Sequence, residues 1–442
     1  MSKQFCQRMA AVLTIFLLLA PIFAGAMATA QQQVQTAPQR PASVRSASVV
    51  AATAEVLRET SEIRKLTILR PVKSGVQSRA EIERMIVKNL DEENSPEELR
   101  ATELALKKFG LVPADFKLRP FLISLLTEQV AGYYDPKTRE FYLADWIDID
   151  GQRPVMVHEL THALQDQHFN LRRFEKWPKG DSDAELATQA LVEGDATLAM
   201  ISYISTNPAQ AQSLFKRSLE AGAAGSEQMD RAPRALRESL LFPYEQGTAW
   251  VTQLYKRGGW DQVSKAFTAL PQSTEQVLHA DKYFAREAPV KVEIPDIAPA
   301  LGAGWKRIDY DVNGEWGYYL ILDEFLKSDD ESRRAAAGWG GDRYALYEQA
   351  GKGETLIAQL TVWDTEADAR EFFDAYARRT ERRYRDARSL ELPADDQAPG
   401  ERRAWRTGEG GVLMARRGGR VLVIEGIPER VDQGKLLKSL RW

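Results

Sequence analysis

The spacing of apolar positions along the chain changes twice, and each change marks a different kind of structure. Residues 51–126 have apolar positions at helical spacing, and Ser95-Pro96-Glu97-Glu98 has the N-cap, first-turn proline and acidic residues that begin a helix. Residues 130–134 and 140–143 are short runs typical of strands, joined by Asp135-Pro136-Lys137-Thr138. That turn composition predicts a β-hairpin.

Helical spacing returns directly after the hairpin. We expect a helix over residues 155–167, preceded by Pro154, and a second over residues 184–204, opened by Asp181-Ser182-Asp183. Further helices are predicted as far as residue 269. The segment from 127 to 298 is therefore expected to be a helix-dominated domain.

Beyond about residue 300 the pattern becomes mixed. Strands are predicted at 342–349, 355–363, 402–407, 411–416 and 420–425, with helices at 365–384 and 430–440. This order predicts a smaller C-terminal α+β domain, residues 299–442, with helices on one face of an antiparallel sheet. The fold class expected for the whole chain is α+β, with residues 51–126 as a helical N-terminal subdomain.

The first 50 residues differ from the rest of the chain. Lys3 and Arg8 precede an apolar run over residues 10–23, and small residues follow up to Ala30, which is the order of a secretory signal peptide. An uncleaved membrane anchor is the alternative, although the run is short for a span of about 20 residues. We expect residues 1–30 to be the signal, residues 31–50 a disordered linker, and the protein to be exported to the periplasm, the cell envelope or the medium.

Charge and cysteine content narrow the chemistry. The net charge of −4 comes without a long basic run, which argues against nucleic acid as a partner. The one cysteine, Cys6, lies in the predicted signal. Thiolate catalysis and disulfides are thus excluded from the mature chain, and a metal would have to be held by histidine and carboxylate side chains.

His158-Glu159-Leu160-Thr161-His162 forms an HExxH pattern within the predicted helix 155–167. Residues four apart in a helix lie one turn above each other, so both imidazoles can bind one ion from the same face. Glu159 is offset around the helix, where it can take a proton from a water held by the ion. Two of the four histidines of the chain fall in this pattern.

A catalytic zinc usually has three protein ligands, so a third is expected from elsewhere in the chain. His168 is too near in sequence to fold back from the same helix, and the metzincin pattern is absent because Gln165 stands where that pattern has glycine. Glu193 is the best candidate, since it lies in an otherwise apolar helix where an unpaired carboxylate would be costly.

These residues bear a resemblance to a known group of enzymes. HELTH followed by Glu193-Gly194-Asp195-Ala196 resembles the gluzincin zinc peptidases, whose third ligand is a Glu from the following helix. Segments such as Gly132-Tyr133-Tyr134-Asp135-Pro136 and Phe242-Pro243-Tyr244 are similar to a largely uncharacterised family of exported bacterial zinc peptidases. The resemblance covers roughly residues 66–284. Many gluzincins have Asp four residues after the ligand Glu, where this chain has Thr197.

Other side chains are candidates for supporting roles. Asp166, one turn beyond His162, is a candidate to orient that imidazole, with an exposed helix-end carboxylate as the alternative. A transition-state oxyanion needs a donor besides the metal, and the candidates, each with a purely structural alternative, are Tyr244, His279, Tyr203 and Tyr283.

The sequence therefore predicts a zinc-dependent metallopeptidase acting on peptide or protein substrates, whose backbone would add to the hairpin as a further strand. One alternative is an exported binding or structural protein that retains zinc without turnover, and another is a chance motif in a helical envelope protein. Residues 51–126 are either a structural subdomain or an inhibitory pro-region.

Overall fold

The computed structural model describes residues 42–146, 149–174, 177, 180–208, 212, 227–392 and 400–440. The predicted signal peptide and residues 31–41 of the predicted linker lie outside these described residues. The fold class is α+β, as predicted. In the described residues, no helix combines the length and apolar character needed to cross a membrane.

Helices and one small sheet form the structure up to residue 301. The helices are α1 (Ala42–Arg64), α2 (Arg79–Glu93), α3 (Pro96–Phe109), α4 (Leu118–Gln129), α5 (Arg153–Phe169), α6 (Ser182–Thr206), α7 (Glu227–Arg231), α8 (Arg234–Ala266), α9 (Thr274–Leu278), α10 (Ala280–Ala285) and α11 (Ala298–Leu301). Ser95 caps α3 and exchanges hydrogen bonds with Glu98, which confirms the predicted helix start.

Helix α1 corrects the predicted linker. It begins at Ala42, so residues 42–50 are helical and the prediction of disorder up to residue 50 is wrong for that part. The Ala- and Ser-rich composition suggested a segment unable to pack. However, Val49, Ala52 and Val56 lie three and four residues apart and are all buried in the core, which stabilises the helix.

The small sheet contains the predicted hairpin and one further strand. Strands β2 (Gly132–Asp135) and β3 (Glu140–Ala144) pair antiparallel, as predicted. Strand β1 (Lys73–Gln77) pairs parallel to β3 on its other side, so the strand order is β1-β3-β2. Among the described residues, the hairpin therefore has one edge without a paired strand, and this edge belongs to β2.

A seven-stranded antiparallel sheet forms most of the C-terminal part. Its strands, in spatial order, are β4 (Trp305–Asp311), β5 (Trp339–Gln349), β6 (Thr355–Trp363), β10 (Arg420–Ile427), β9 (Gly410–Arg417), β8 (Glu401–Thr407) and β7 (Arg388–Leu390). The accompanying helices are α12 (Gly314–Leu326), α13 (Asp329–Ala336), α14 (Glu366–Arg383) and α15 (Gln433–Ser439). The five predicted strands and both predicted helices are present, and β4, β7, α12 and α13 are additional.

One continuous core joins these parts. Its buried apolar side chains run from Val49 on α1 to Val423 on β10. Phe109 at the end of α3 packs edge-on against Tyr344 of β5, with ring centroids 5.4 Å apart. Arg379 and Arg383 of α14 donate to the backbone carbonyls of Phe109 and Lys108, which would otherwise have no partner at the end of α3.

Helices α6 and α8 cross at a pair of glycines. A Cβ atom added at Gly194 would lie 2.4 Å from the backbone of Gly247, and one added at Gly247 would lie 2.4 Å from the carbonyl oxygen of Ala190. Both distances are too short for any side chain. The absence of side chains at this crossing therefore sets how closely α8 approaches the middle of α6.

Replacing Gly247 by Ala is expected to force α6 and α8 apart and to lower the free energy of unfolding by about 1–3 kcal/mol. Gly75→Ala is the control, because a Cβ there would lie at an ordinary contact distance of 3.6 Å from the Tyr142 ring. Urea unfolding monitored by circular dichroism measures the difference. Equal stability of the two variants would contradict the close crossing.

Candidate metal centre

Helix α5 is buried along nearly its whole length. It begins after a short 3-10 turn, has Pro154 in its first turn, and ends at Asn170, which adopts a left-handed conformation with φ 54°. Every residue from Pro154 to Asp166 is buried, because α1, α6 and the small sheet pack around the helix. Its polar side chains therefore need partners inside the protein.

Helix α6 passes beside α5 and provides the third side chain. The carboxylate of Asp181 caps the helix by accepting from the N–H of Ala184 at 3.3 Å. Glu193 lies near the middle of the helix, next to the crossing at Gly194, and its side chain is buried. The glycine contact with α8 thus stabilises the part of α6 that carries this carboxylate.

Three side-chain atoms of these helices converge, as the sequence predicted. Nε2 of His158 lies 3.1 Å from Oε2 of Glu193, Nε2 of His162 lies 3.5 Å from the same oxygen, and the two Nε2 atoms are 3.2 Å apart. A tetrahedral zinc with bonds of 2.0–2.1 Å places its ligand atoms about 3.3 Å apart. The three side chains therefore fit three corners of such a site.

The protonation states of two of these groups also suit a metal. Burial lowers the pKa of His158, which favours the neutral imidazole. Burial alone would raise the pKa of Glu193, but the facing imidazoles of His162 and His158 outweigh it and lower this pKa, which favours the carboxylate. Neutral imidazole and ionised carboxylate are the forms that bind a metal ion.

Glu159 lies beside the three converging side chains and is held by the hairpin. Its Oε2 accepts a hydrogen bond from the backbone N–H of Tyr134 on β2 at 3.0 Å. Its Oε1 is buried and has no hydrogen-bond partner among the described residues. Burial, and then the nearby charge of Glu193, raise the pKa of Glu159 well above its usual value, which suits a group that accepts and returns a proton.

Gln165, rather than Asp166, orients His162. Nδ1 of His162 lies 2.8 Å from Oε1 of Gln165, and because that oxygen can only accept, the imidazole donates from Nδ1 and leaves Nε2 free for a ligand. Gln165 is three residues from His162 on the same face of α5. In the sequence, Gln165 stands out only as a departure from the metzincin pattern, which gives no sign that its side chain accepts a hydrogen bond from His162.

Asp166 has other partners, so its predicted contact with His162 is wrong. One of its oxygens accepts from the hydroxyl of Tyr134 at 3.0 Å and from Arg70 at 3.4 Å, and the other accepts from the N–H of Leu171 at 3.1 Å. The alternative of an exposed carboxylate is also wrong, because Asp166 is buried. It joins α5 to the hairpin and to the segment before β1.

The four candidate oxyanion donors lie in different surroundings. Tyr244 packs against the group formed by His158, His162 and Glu193, with its ring stacked near His158 at a centroid distance of 6.1 Å. The Tyr283 hydroxyl donates to the carbonyl oxygen of Ala269 at 2.8 Å, and His279 lies 2.9 Å from a carboxylate oxygen of Glu315.

The phenol of Tyr203, the fourth candidate, interacts with Arg153 at the start of α5. Of the four, Tyr244 is therefore the one that the structure brings to the group.

A second set of carboxylates, formed by Glu275, Glu287 and Asp364, also converges. The ammonium group of Lys282 lies among them and pairs with all three, at 2.7 Å from Glu275 and from Glu287. A cation of the protein itself thus fills this position.

Comparisons with known proteins bear on the C-terminal part only. Residues 302–436 match a family model described as a domain of unknown function, DUF8575. The match begins well after His158, His162 and Glu193. No curated protein and no solved structure matches the chain.

Replacing Glu159 by Gln is expected to raise the free energy of unfolding of the metal-free protein at neutral pH by about 1–3 kcal/mol, because a buried group that ionises is replaced by one that does not. The folded-state pKa of Glu159 is raised, so the wild type loses stability as the pH rises from the ordinary carboxyl range through that raised pKa. The difference in free energy of unfolding between Glu159→Gln and the wild type should therefore grow from about pH 5 to about pH 7.5.

Urea unfolding in the presence of a chelator measures this difference at both pH values. Glu83→Gln, which changes an exposed carboxylate on α2, is the control and should leave the stability nearly unchanged. A Glu159→Gln variant whose stability relative to the wild type is the same at both pH values would contradict the raised pKa.

Proposed function

We propose that this protein is a zinc-dependent metallopeptidase. The observation that carries the proposal is the buried group formed by His158, His162 and Glu193, with the carboxylate of Glu159 beside it. A structural zinc usually has four protein ligands, whereas a catalytic zinc usually has three and one open position. The described residues offer three ligand atoms in this group.

The donor set favours zinc among common metal ions. Two imidazole nitrogens and one carboxylate oxygen at tetrahedral spacing suit zinc, whereas magnesium and calcium prefer six or more oxygen ligands. The buried, mainly apolar surroundings support the same choice, because they favour a site that strips an ion of most of its water. Zinc bound here would supply Lewis acidity, polarising a carbonyl oxygen and making water a better nucleophile at neutral pH.

Side chains of the protein would transfer the proton and stabilise the developing negative charge. Glu159 accepts the proton of the attacking water through Oε1 while the N–H of Tyr134 holds Oε2 in place, and it returns the proton to the departing amine. Tyr244, packed against His158, is the candidate to stabilise the charge that develops on the carbonyl oxygen. Each of these contacts comes from a different element, namely β2, α5 and α8.

The small sheet suggests how a peptide would bind. Strand β3 has neighbours on both sides, so a substrate cannot add to it, which narrows the predicted pairing from the whole hairpin to the edge strand β2. The N–H of Tyr134 on that strand is directed at Glu159. A peptide lying along β2 as an added strand would therefore have its backbone close to the proposed base.

Export is part of the proposal. The positive residues Lys3 and Arg8, the apolar run and the small residues up to Ala30 support secretion to the periplasm, the cell envelope or the medium. A peptide or protein outside the cytoplasm would then be the substrate.

Two substitutions separate metal binding from catalysis. Glu193→Gln is expected to lose stoichiometric zinc, because it removes an anionic ligand, whereas Glu159→Gln is expected to keep zinc and to lose hydrolysis by about 10²–10⁴-fold. Zinc is measured by elemental analysis of purified protein, and hydrolysis by release of peptides from an unfolded protein substrate.

Glu185→Gln is the matched control. Glu185 is also buried on α6, two turns before Glu193, so this variant removes a buried carboxylate from the same helix without touching the proposed ligands. It should retain zinc. Normal zinc content in Glu193→Gln would refute the assignment of Glu193 as the third ligand. A wild type that binds zinc but shows no Glu159-dependent hydrolysis would instead favour a binding protein that retains zinc.

A further inference from the structure

The side chain of Gln165 is fixed from both ends. Its amide nitrogen donates to the carbonyl oxygen of Val192 at 3.0 Å and to Oδ2 of Asp195 at 2.8 Å, and both partners can only accept. The amide oxygen must then be the end that faces Nδ1 of His162. The two acceptors on α6 thus determine which nitrogen of His162 carries its proton.

Asp195 is in turn held by α1. Its Oδ1 pairs with the guanidinium group of Arg64, the last residue of that helix, and neither side chain is exposed to solvent. Arg64 also donates to the hydroxyl of Ser264 at 3.2 Å and lies over the ring of Trp260 at 4.7 Å. These contacts fix the guanidinium group between α1, α6 and α8.

We propose that Gln165, Asp195 and Arg64 form a positioning relay that holds His162 in its metal-binding tautomer, and that α1 is for this reason an integral part of the metal centre. The inference rests on the proposed zinc site. The relay links both helices that provide ligands, because Gln165 lies on α5 and Asp195 lies two residues after Glu193 on α6.

The relay also bears on whether residues 51–126 are a structural subdomain or an inhibitory pro-region. For the part of this segment that lies in α1, it favours the structural subdomain. A removable inhibitory segment should contact the site from outside and leave it intact on departure. Arg64 instead neutralises Asp195 in the interior, and removing one partner of a buried ion pair is strongly destabilising. Loss of α1 would therefore disable metal binding instead of activating the protein.

The first test is the zinc affinity of Gln165→Met, which keeps the size of the side chain and removes the acceptor for His162. Loss of a partner that orients a ligand typically weakens metal binding by about 10–100-fold, and we expect a loss in that range. Competition with a chromophoric chelator measures the dissociation constant, and the visible spectrum of the cobalt-substituted protein reports the coordination geometry, which a merely structural role would not alter.

The matched control is Gln167→Met. Gln167 lies two residues further along the same helix, and its amide binds only backbone groups of Leu69 and Arg70 among its described contacts. Arg64→Met and the exposed Arg58→Met form a second matched pair on α1. Gln167→Met and Arg58→Met should bind zinc like the wild type, whereas Arg64→Met should bind it more weakly.

Arg64→Lys is the conservative variant on α1. It keeps a positive charge that can donate to Oδ1 of Asp195, so it is expected to fold even if Gln165→Met does not. It should keep most of the zinc affinity and the cobalt spectrum of the wild type, whereas Arg64→Met should not. Equal zinc affinity of Arg64→Lys and Arg64→Met would overturn the relay.

The outcomes separate this inference from the proposed function. A wild type without stoichiometric zinc would refute the metallopeptidase itself. Wild-type zinc binding and hydrolysis, together with unchanged zinc affinity in Gln165→Met, would refute the relay alone.

Discussion

The interior of this protein has to accommodate charged and polar side chains where helices α5 and α6 pack together. Glu159 and Glu193 are both buried, close to each other and surrounded mainly by apolar residues, and two carboxylates in such surroundings repel each other and lose their hydration. The imidazoles of His158 and His162 compensate part of this penalty for Glu193, and a bound cation would compensate far more. The paired glycines, the cap of α6 and the contacts around Asp195 all serve to keep these groups together.

Much of this arrangement is visible in the sequence, because it depends on local spacing. The hairpin follows from two strand-like runs around a turn-forming tetrapeptide, and the face shared by His158 and His162 follows from helical geometry. Glu193 could be selected because a carboxylate in an apolar helix needs a partner. Strands β5, β6, β8, β9 and β10 and helices α14 and α15 likewise follow from their periodicity.

The features that sequence reasoning missed depend on contacts between distant segments. Strand β1 is short and partly polar, and only its pairing with β3 makes it a strand. Gln165 and Asp166 are both within reach of His162 by helical spacing, and the acceptors on α6 decide between them. The first turns of α1, residues 42–50, have too few large apolar residues to suggest packing, and the ion pair of Arg64 joins this helix to Asp195, 131 residues away.

The hydrogen bonds from two arginines to the end of α3 join segments that lie far apart in the sequence. Arg379 reaches a carbonyl group 270 residues earlier in the chain, and it is oriented by Glu425, whose pKa is lowered to about 2 by Arg379 and Arg383 despite its burial. A polypeptide that has been synthesised only as far as α3 therefore lacks the groups that complete the carboxyl end of this helix. Because α14 and β10 supply those groups, the core around the end of α3 can reach its native form only after β10 has been synthesised.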